Sequence, residues 1–127
     1  MSPTIIHRDL KSLNVFVTKN KNQWKLKVAD FGLSRSPEAE MMTTQLGTIV
    51  LFVIIQHWMA PELLESKQYS TKVDVYSFGI LLWEILARRT PYCDLKTSPM
   101  ALLKHVAIDK NRPNLEMIGK DCPKDLI

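Results

Sequence analysis

The stretch from position 73 to 87 constrains the fold more than any other part of the chain. Read as a helix, it places Val75, Phe78, Ile80, Leu81, Leu82, Trp83, Ile85 and Leu86 around most of its circumference, and a helix that is apolar nearly all round belongs inside a core. The rest of the chain has to supply what surrounds it. Ser70 or Thr71 can cap its start, since either hydroxyl can accept a hydrogen bond from a first-turn amide. Positions 61–65 predict a short helix with Pro61 first, and Ser98-Pro99 opens another that continues through Leu102, Leu103 and Val106. A further helix begins at Cys122-Pro123 and is cut off at Ile127. Ahead of these, two β-branched and aromatic segments at 15–18 and 24–29, separated by the polar stretch 19–23, predict a β-hairpin. Positions 30–59 carry no sustained period, are punctuated by Pro37 and Gly47, and hold Ser34, Ser36, Thr43, Thr44 and Thr48. They read as one long loop, which in a compact domain usually has a function. The fold class is α+β.

At 127 residues, 46% hydrophobic and 24% charged, the chain suits one modest domain, and no linker or repeat divides it. The 17 basic and 13 acidic residues are interspersed, so no block of like charge marks a nucleic-acid or membrane arm. Cys93 and Cys122 follow neither a zinc spacing nor a disulfide framework, which reads as packing thiols in a reducing compartment. The longest apolar run, 49–55, is far short of the roughly 20 residues that span a bilayer. Positions 1–6 lack the pattern of a signal peptide. A cytoplasmic location is expected.

The chemistry concentrates in His7-Arg8-Asp9-Leu10-Lys11-Ser12-Leu13-Asn14, just before the first strand, and in Asp30-Phe31-Gly32, at the end of the second. A hairpin returns the chain, so Asn14 and Asp30 come side by side at its open end and offer oxygen ligands to a hard cation such as Mg²⁺. Asp9 sits beside them. Phosphoryl transfer needs metal to neutralise phosphate charge, a carboxylate to orient and deprotonate the attacking hydroxyl, and a cation near the transferring group. Asp30 with Asn14, then Asp9, then Lys11 supply those roles.

With Ala60-Pro61-Glu62 following in order, the chain resembles a eukaryotic protein kinase, whose catalytic-loop, Asp-Phe-Gly and Ala-Pro-Glu motifs these match. Asp74 opens the apolar helix where that family has an aspartate. The resemblance implies a protein-kinase-like fold, namely a mainly helical large lobe with a short β-hairpin and no small lobe, so that 1–127 is a partial kinase domain. It implies that Asp9 is the catalytic base, that Lys11 contacts the transferred phosphate, and that Asn14 and Asp30 hold the metal ions. Phe16 falls at the floor of the adenine pocket, with a core strand residue as the equal alternative. His7 and Phe31 are implied to stack in an internal spine, Gly32 completes its motif, and Asp74 is implied to brace the backbone of the catalytic loop. Arg8 resembles the arginine that receives an activation-loop phosphate. Thr43 and Thr44 are the candidate acceptors, or else solvated loop hydroxyls. Lys11 and Gly47-Thr48 are similar to kinases that act on serine and threonine. Ser12, Trp58-Met59 and the run 76–85 are similar to the tyrosine-kinase-like branch of those enzymes.

Departures from the family are as informative. Only six residues precede His7, which leaves no room for a glycine-rich loop, a strand lysine or its glutamate partner, the parts that close over ATP. Positions 2–6 resemble the end of the connection into the catalytic loop, so Met1 is read as an internal methionine. Arg112-Pro113 matches an early Arg-Pro of the family, by which register Glu62 has lost its basic partner. Kinases also pass almost directly from Gly-Thr to Trp-Met-Ala-Pro-Glu, and removing 50–56 leaves Gly47-Thr48-Ile49-His57-Trp58-Met59-Ala60-Pro61-Glu62. The surplus begins with valine, whose codons start GT, and ends with glutamine, one of whose codons is CAG, the pattern of a very short retained intron. A genuine apolar insertion is the alternative; transcripts that uniformly keep the stretch rule the intron out.

The functional expectation is ATP-dependent phosphoryl transfer to Ser or Thr hydroxyls of a protein substrate, with ATP and Mg²⁺ bound and neither nucleic acid nor membrane as partner. The isolated polypeptide, holding half the ATP cradle, is expected to be inactive, and the alternative is a non-catalytic kinase-lobe fragment or pseudokinase-like interaction module. A metal-dependent hydrolase using Asp9 and Asp30 explains the oxygen ligands but leaves Asp74 and Ala60-Pro61-Glu62 without a role. Oligomeric state is left open.

Overall fold

A computed structural model of the chain describes residues 4–31, 57–65 and 69–119. The expectations for Gly32, Thr43 and Thr44, for the run 50–56 and for a helix at Cys122-Pro123 lie outside these residues.

Strands β1 (Val15–Asn20) and β2 (Gln23–Val28) form a two-stranded antiparallel sheet in register from Val15 opposite Val28 to Asn20 opposite Gln23. Both strands reach further into the polar stretch than the sequence suggests, leaving Lys21 and Asn22 to turn the chain, with Lys21 at φ 50°. Alternation puts Val17 opposite Leu26 on one face and Phe16 opposite Lys27 on the other. Phe16, Trp24 and Leu26 are all exposed. The reading of Phe16 as a core strand residue is therefore corrected, because among the described residues the hairpin has no second layer to bury either face.

Three α-helices follow among the described residues. Helix α1 (Glu62–Glu65) starts just after the buried Pro61 rather than at it. Helix α2 (Lys72–Ala87) is entered through Ser70, whose Oγ accepts from the Lys72 amide at 3.2 Å, while the Thr71 side chain makes no cap bond. Arg88 ends α2 in the left-handed region at φ 53°. Helix α3 (Pro99–Leu103) is capped by Ser98, whose Oγ accepts from the Ala101 amide at 3.2 Å. It widens into a π turn over Lys104–Ile108, closed by the Asp109 amide on the Lys104 carbonyl. Among the described residues no helix is long and apolar enough to cross a membrane.

The core lies along one face of α2. Ile6, Ala60 and Val73 pack together with Leu63, Tyr69 and Tyr76 at their edge, and Trp58, Ile80 and Leu81 pack with Leu10 and Val15. Trp83 is buried on the flank, its indole N–H donating to the Asn114 carbonyl at 3.0 Å. The opposite stripe stays open, with Val75 at 61% exposure, Phe78 at 54% and Ile85 at 61%. These positions recur at helical spacing. Helix α2 thus has one face buried and one apolar face that the described residues leave uncovered.

Candidate active site

The segment from Ile6 to Asn14 lies on the buried face of α2, and up to the single 3₁₀ turn at Ser12–Asn14 its course is fixed by polar contacts rather than by regular structure. The Asp74 carboxylate accepts from the backbone N–H groups of His7 at 2.8 Å and Arg8 at 2.9 Å. Arg8 sits in the left-handed region at φ 64°, a conformation that costs an L residue roughly 1–2 kcal/mol, and the two bonds to Asp74 hold it there. Its guanidinium donates to the Tyr69 hydroxyl at 2.7 Å.

His7 joins this segment to the hairpin. Its Nδ1 accepts from the Asp9 amide at 3.3 Å, which puts the ring proton on Nε2, and Nε2–H donates to the Ala29 carbonyl at 3.0 Å. The Ala29 amide in turn donates to the Asn14 carbonyl at 2.9 Å. Phe31 meets the His7 ring edge to face with centroids 4.8 Å apart. Ala29 is thus pinned from two sides, and Asp30 leaves it at φ 63° with its side chain exposed.

Asp9, Lys11 and Asn14 converge. Asp9 Oδ2 accepts from Asn14 Nδ2 at 3.0 Å and pairs with Lys11 Nζ at 3.0 Å, while Asn14 Nδ2 also donates to the Asp9 carbonyl at 2.8 Å. Asp9 and Asn14 are buried. Asp9 Oδ1 is equally buried and has no hydrogen-bond partner, which costs about 1–3 kcal/mol until a donor arrives. With one oxygen anchored twice and the other unused, the carboxylate is oriented and still has an acceptor to offer.

Asp30 is not tied to this cluster by any hydrogen bond among the described residues, and no group of three His, Cys, Asp or Glu side chains there stands ready for a metal ion. Asn14 spends its side-chain N–H₂ on Asp9, which leaves its side-chain oxygen as a hard donor. That oxygen and the Asp30 carboxylate suit Mg²⁺ by type. Glu62 opens α1 with no cation in salt-bridge range among the described residues.

Residues 2–125 match the family model of the protein kinase domain. The chain belongs to the protein kinase family. It is 41% identical over 98% of its length to RGS domain-containing serine/threonine-protein kinase A of Dictyostelium discoideum, and 40% identical over 95% to the probable serine/threonine-protein kinase drkB of the same organism. A third relative there, dual specificity protein kinase shkB, is 43% identical over 97% of the chain. The chain spans 9%, 17% and 18% of these relatives' own lengths, respectively.

Sequence reasoning missed two residues of this candidate site. Tyr69, which receives the Arg8 guanidinium, carries no local signal that separates it from a loop tyrosine. Glu84 does. It accepts from Ser12 Oγ through Oε1 at 3.0 Å and from the Trp58 indole N–H through Oε2 at 3.0 Å. With Asp74 it is one of just two charged residues in positions 73–87, and a lone carboxylate in an apolar helix calls for donors. Beside it His57 is half-buried, and desolvation lowers its pKa while the Glu84 charge works the other way. Further along, burial pushes the Tyr92 phenol well above the ordinary range, with the Tyr76 phenol adding and Arg112 opposing. Arg112 lies over the Tyr76 ring at 4.8 Å.

Proposed function

We propose that these residues form the larger, mainly helical lobe of a Ser/Thr protein kinase domain, and that the natural protein transfers the γ-phosphoryl group of ATP to Ser or Thr hydroxyls of proteins. The observation that carries this reading is the Asp9 carboxylate, oriented through Oδ2 by Asn14 and Lys11 with a buried, unpartnered Oδ1. An interaction module needs no such group. A substrate hydroxyl donating to Oδ1 is oriented for attack and gives up its proton there as the new O–P bond forms and the bond to the leaving ADP oxygen breaks. Lys11, one salt bridge away, shields the charge that gathers on the transferring group. Asn14 and Asp30 are the residues to hold Mg²⁺, which supplies neutralisation of the phosphate charge. Arg8 is assigned to a phosphate on Thr43 or Thr44. Membership of the tyrosine-kinase-like branch is proposed from Ser12 and Trp58-Met59; Ser12 and Trp58 share the Glu84 carboxylate as partner.

The test is phosphate incorporation into a protein substrate by the natural full-length product, wild type against Asp9→Asn. The amide keeps an oxygen for the Lys11 and Asn14 contacts, so the variant should fold. It should lose transfer by about a hundredfold or more, the low end for removing a general base. Equal incorporation refutes the assignment of Asp9, and a wild-type protein that neither transfers phosphate nor gains thermal stability from ATP with Mg²⁺ favours the interaction-module reading.

A further inference from the structure

Positions 15–28 carry four lysines and no acidic residue, a charge equal to the net +4 of the whole chain. Among the described residues no carboxylate comes within salt-bridge range of Lys19, Lys21, Lys25 or Lys27. Along β2 the side chains alternate strictly. Trp24, Leu26 and Val28 stand on one face and Lys25 and Lys27 on the other. Trp24 and Leu26 remain 67% and 69% exposed, although Lys19 Nζ lies 4.9 Å over the Trp24 ring. The backbone of this strand is equally open. The Ala29 amide donates to the Asn14 carbonyl, and bonded and non-bonded pairs alternate along an antiparallel ladder. In the observed register Phe16 with Lys27 and Thr18 with Lys25 therefore exchange hydrogen bonds, whereas Val15 with Val28, Val17 with Leu26 and Lys19 with Trp24 do not. The N–H and C=O groups of Trp24, Leu26 and Val28 thus point away from β1, to an edge on which no described strand lies.

We propose that the free edge of β2 binds an extended segment of another protein in which acidic residues alternate with apolar ones, added as a third, antiparallel strand. Its acids meet Lys25 and Lys27, and its apolar residues lie beside Trp24, Leu26 and Val28. The inference stands apart from the kinase reading. The chemistry selects a peptide over other polyanions, because a strand gives the open edge both donors and acceptors, while phosphates of lipid or nucleic acid offer acceptors alone. A bilayer surface also meets the basic face or the apolar face, and never both at once. Lysines guard many strand edges against pairing. Here they exclude a second copy of β2, which brings Lys25 and Lys27 up against their like, and leave an acidic strand as the complementary occupant.

The experiment uses the natural full-length product and a blocked hexapeptide alternating glutamate with valine, read by titration calorimetry and by amide hydrogen exchange over positions 23–28. The peptide should bind and slow exchange there. Lys25→Glu combined with Lys27→Glu should weaken binding by about tenfold or more, two exposed ion pairs having been turned repulsive. The same variant should bind a hexapeptide alternating lysine with valine, which also shows that it folds. In an antiparallel addition the valine amides of the peptide face β2 and the glutamate amides face away, so N-methylation at the valines should abolish binding and N-methylation at the glutamates should spare it. Binding that survives methylation at the valines overturns the added strand. Equal binding of the glutamate peptide by the charge-reversed variant overturns its pairing with Lys25 and Lys27. A glutamate peptide that does not bind the wild type overturns the proposal, and phosphatidylserine vesicles or an oligothymidylate protecting 23–28 in its place reassigns the surface to membrane or nucleic acid.

Discussion

Asp74→Ala removes the acceptor of two backbone N–H groups and nothing else of comparable weight, so its cost can be worked from the structure. The bonds from His7 at 2.8 Å and Arg8 at 2.9 Å have charge-assisted length, and a hydrogen bond to a charged group contributes about 1.5–3 kcal/mol. Asp74 is half-buried and the bonds share one carboxylate, so the lower end applies, about 3 kcal/mol for the pair. Against a usual total of about 5–15 kcal/mol that is a large fraction. Part of the loss is local. With its amide released, Arg8 loses the backbone bond that holds it at φ 64°, and the segment relaxes toward ordinary backbone, carrying Asp9 with it. Asp74→Asn keeps one acceptor oxygen but turns an N–H₂ toward the second amide, and should cost about half as much. Urea denaturation of the three proteins, followed by tryptophan fluorescence, gives the stabilities, and hydrogen exchange at His7 and Arg8 gives the local effect. A loss below about 1 kcal/mol in Asp74→Ala, or protection at those two amides equal to wild type, refutes the claim that Asp74 holds this backbone.

Two further outcomes follow from the geometry. Arg88 is exposed and ends α2 in the left-handed region at φ 53°, so Arg88→Gly removes strain of roughly 1–2 kcal/mol and adds roughly 0.5–1 kcal/mol of chain entropy; the variant should gain about 0.5–1 kcal/mol in urea denaturation, and a loss contradicts the strain argument. His57 has its pKa lowered by burial, more than the Glu84 charge raises it, so the unfolded chain takes up the proton first. Its contribution to stability is complete above the unfolded value of about 6.5 and is lost as pH falls through that value toward the folded one. The urea midpoint should fall on acidification from about pH 7.5 to 5.5, and His57→Gln should flatten that slope; identical slopes in the two proteins contradict the assignment.

How much of this was legible in the sequence depended on whether a signal was local. The hairpin, the Ser98-Pro99 helix start and the helix after Ser70 rest on turn chemistry, caps and periodicity within a few residues, and the structure contains them with shifts at the ends. The apolar circumference of α2 was legible too, but not which half of it is covered, because that depends on what packs against it. Phe16 shows the same limit: its side of β1 follows from alternation, its exposure from the absence of a second layer among the described residues. Within the site, the spacing of Asp9, Lys11 and Asn14 was enough to bring them together, since five positions of chain can only fold back so far. Asp30 depends on a longer circuit through the hairpin, the Ala29 amide and the His7 ring. The structure brings its backbone to the hairpin's open end and leaves its carboxylate exposed.

The two acids of α2 show where a closer reading of the sequence had more to give. A carboxylate in an otherwise apolar helix is costly unless donors reach it, so each such residue implies a partner that cannot lie on the helix itself. Asp74 finds the amides of His7 and Arg8, and Glu84 finds Ser12 and Trp58. Three of these four donors belong to the one irregular segment that carries the chemistry. That segment has no ladder of its own to satisfy its backbone and set its path, and it borrows order from the most regular element in the chain. The scarcity of charge in α2 makes the arrangement specific. With two acids there are two places to attach, and sliding the segment by one residue along the helix breaks both attachments at once.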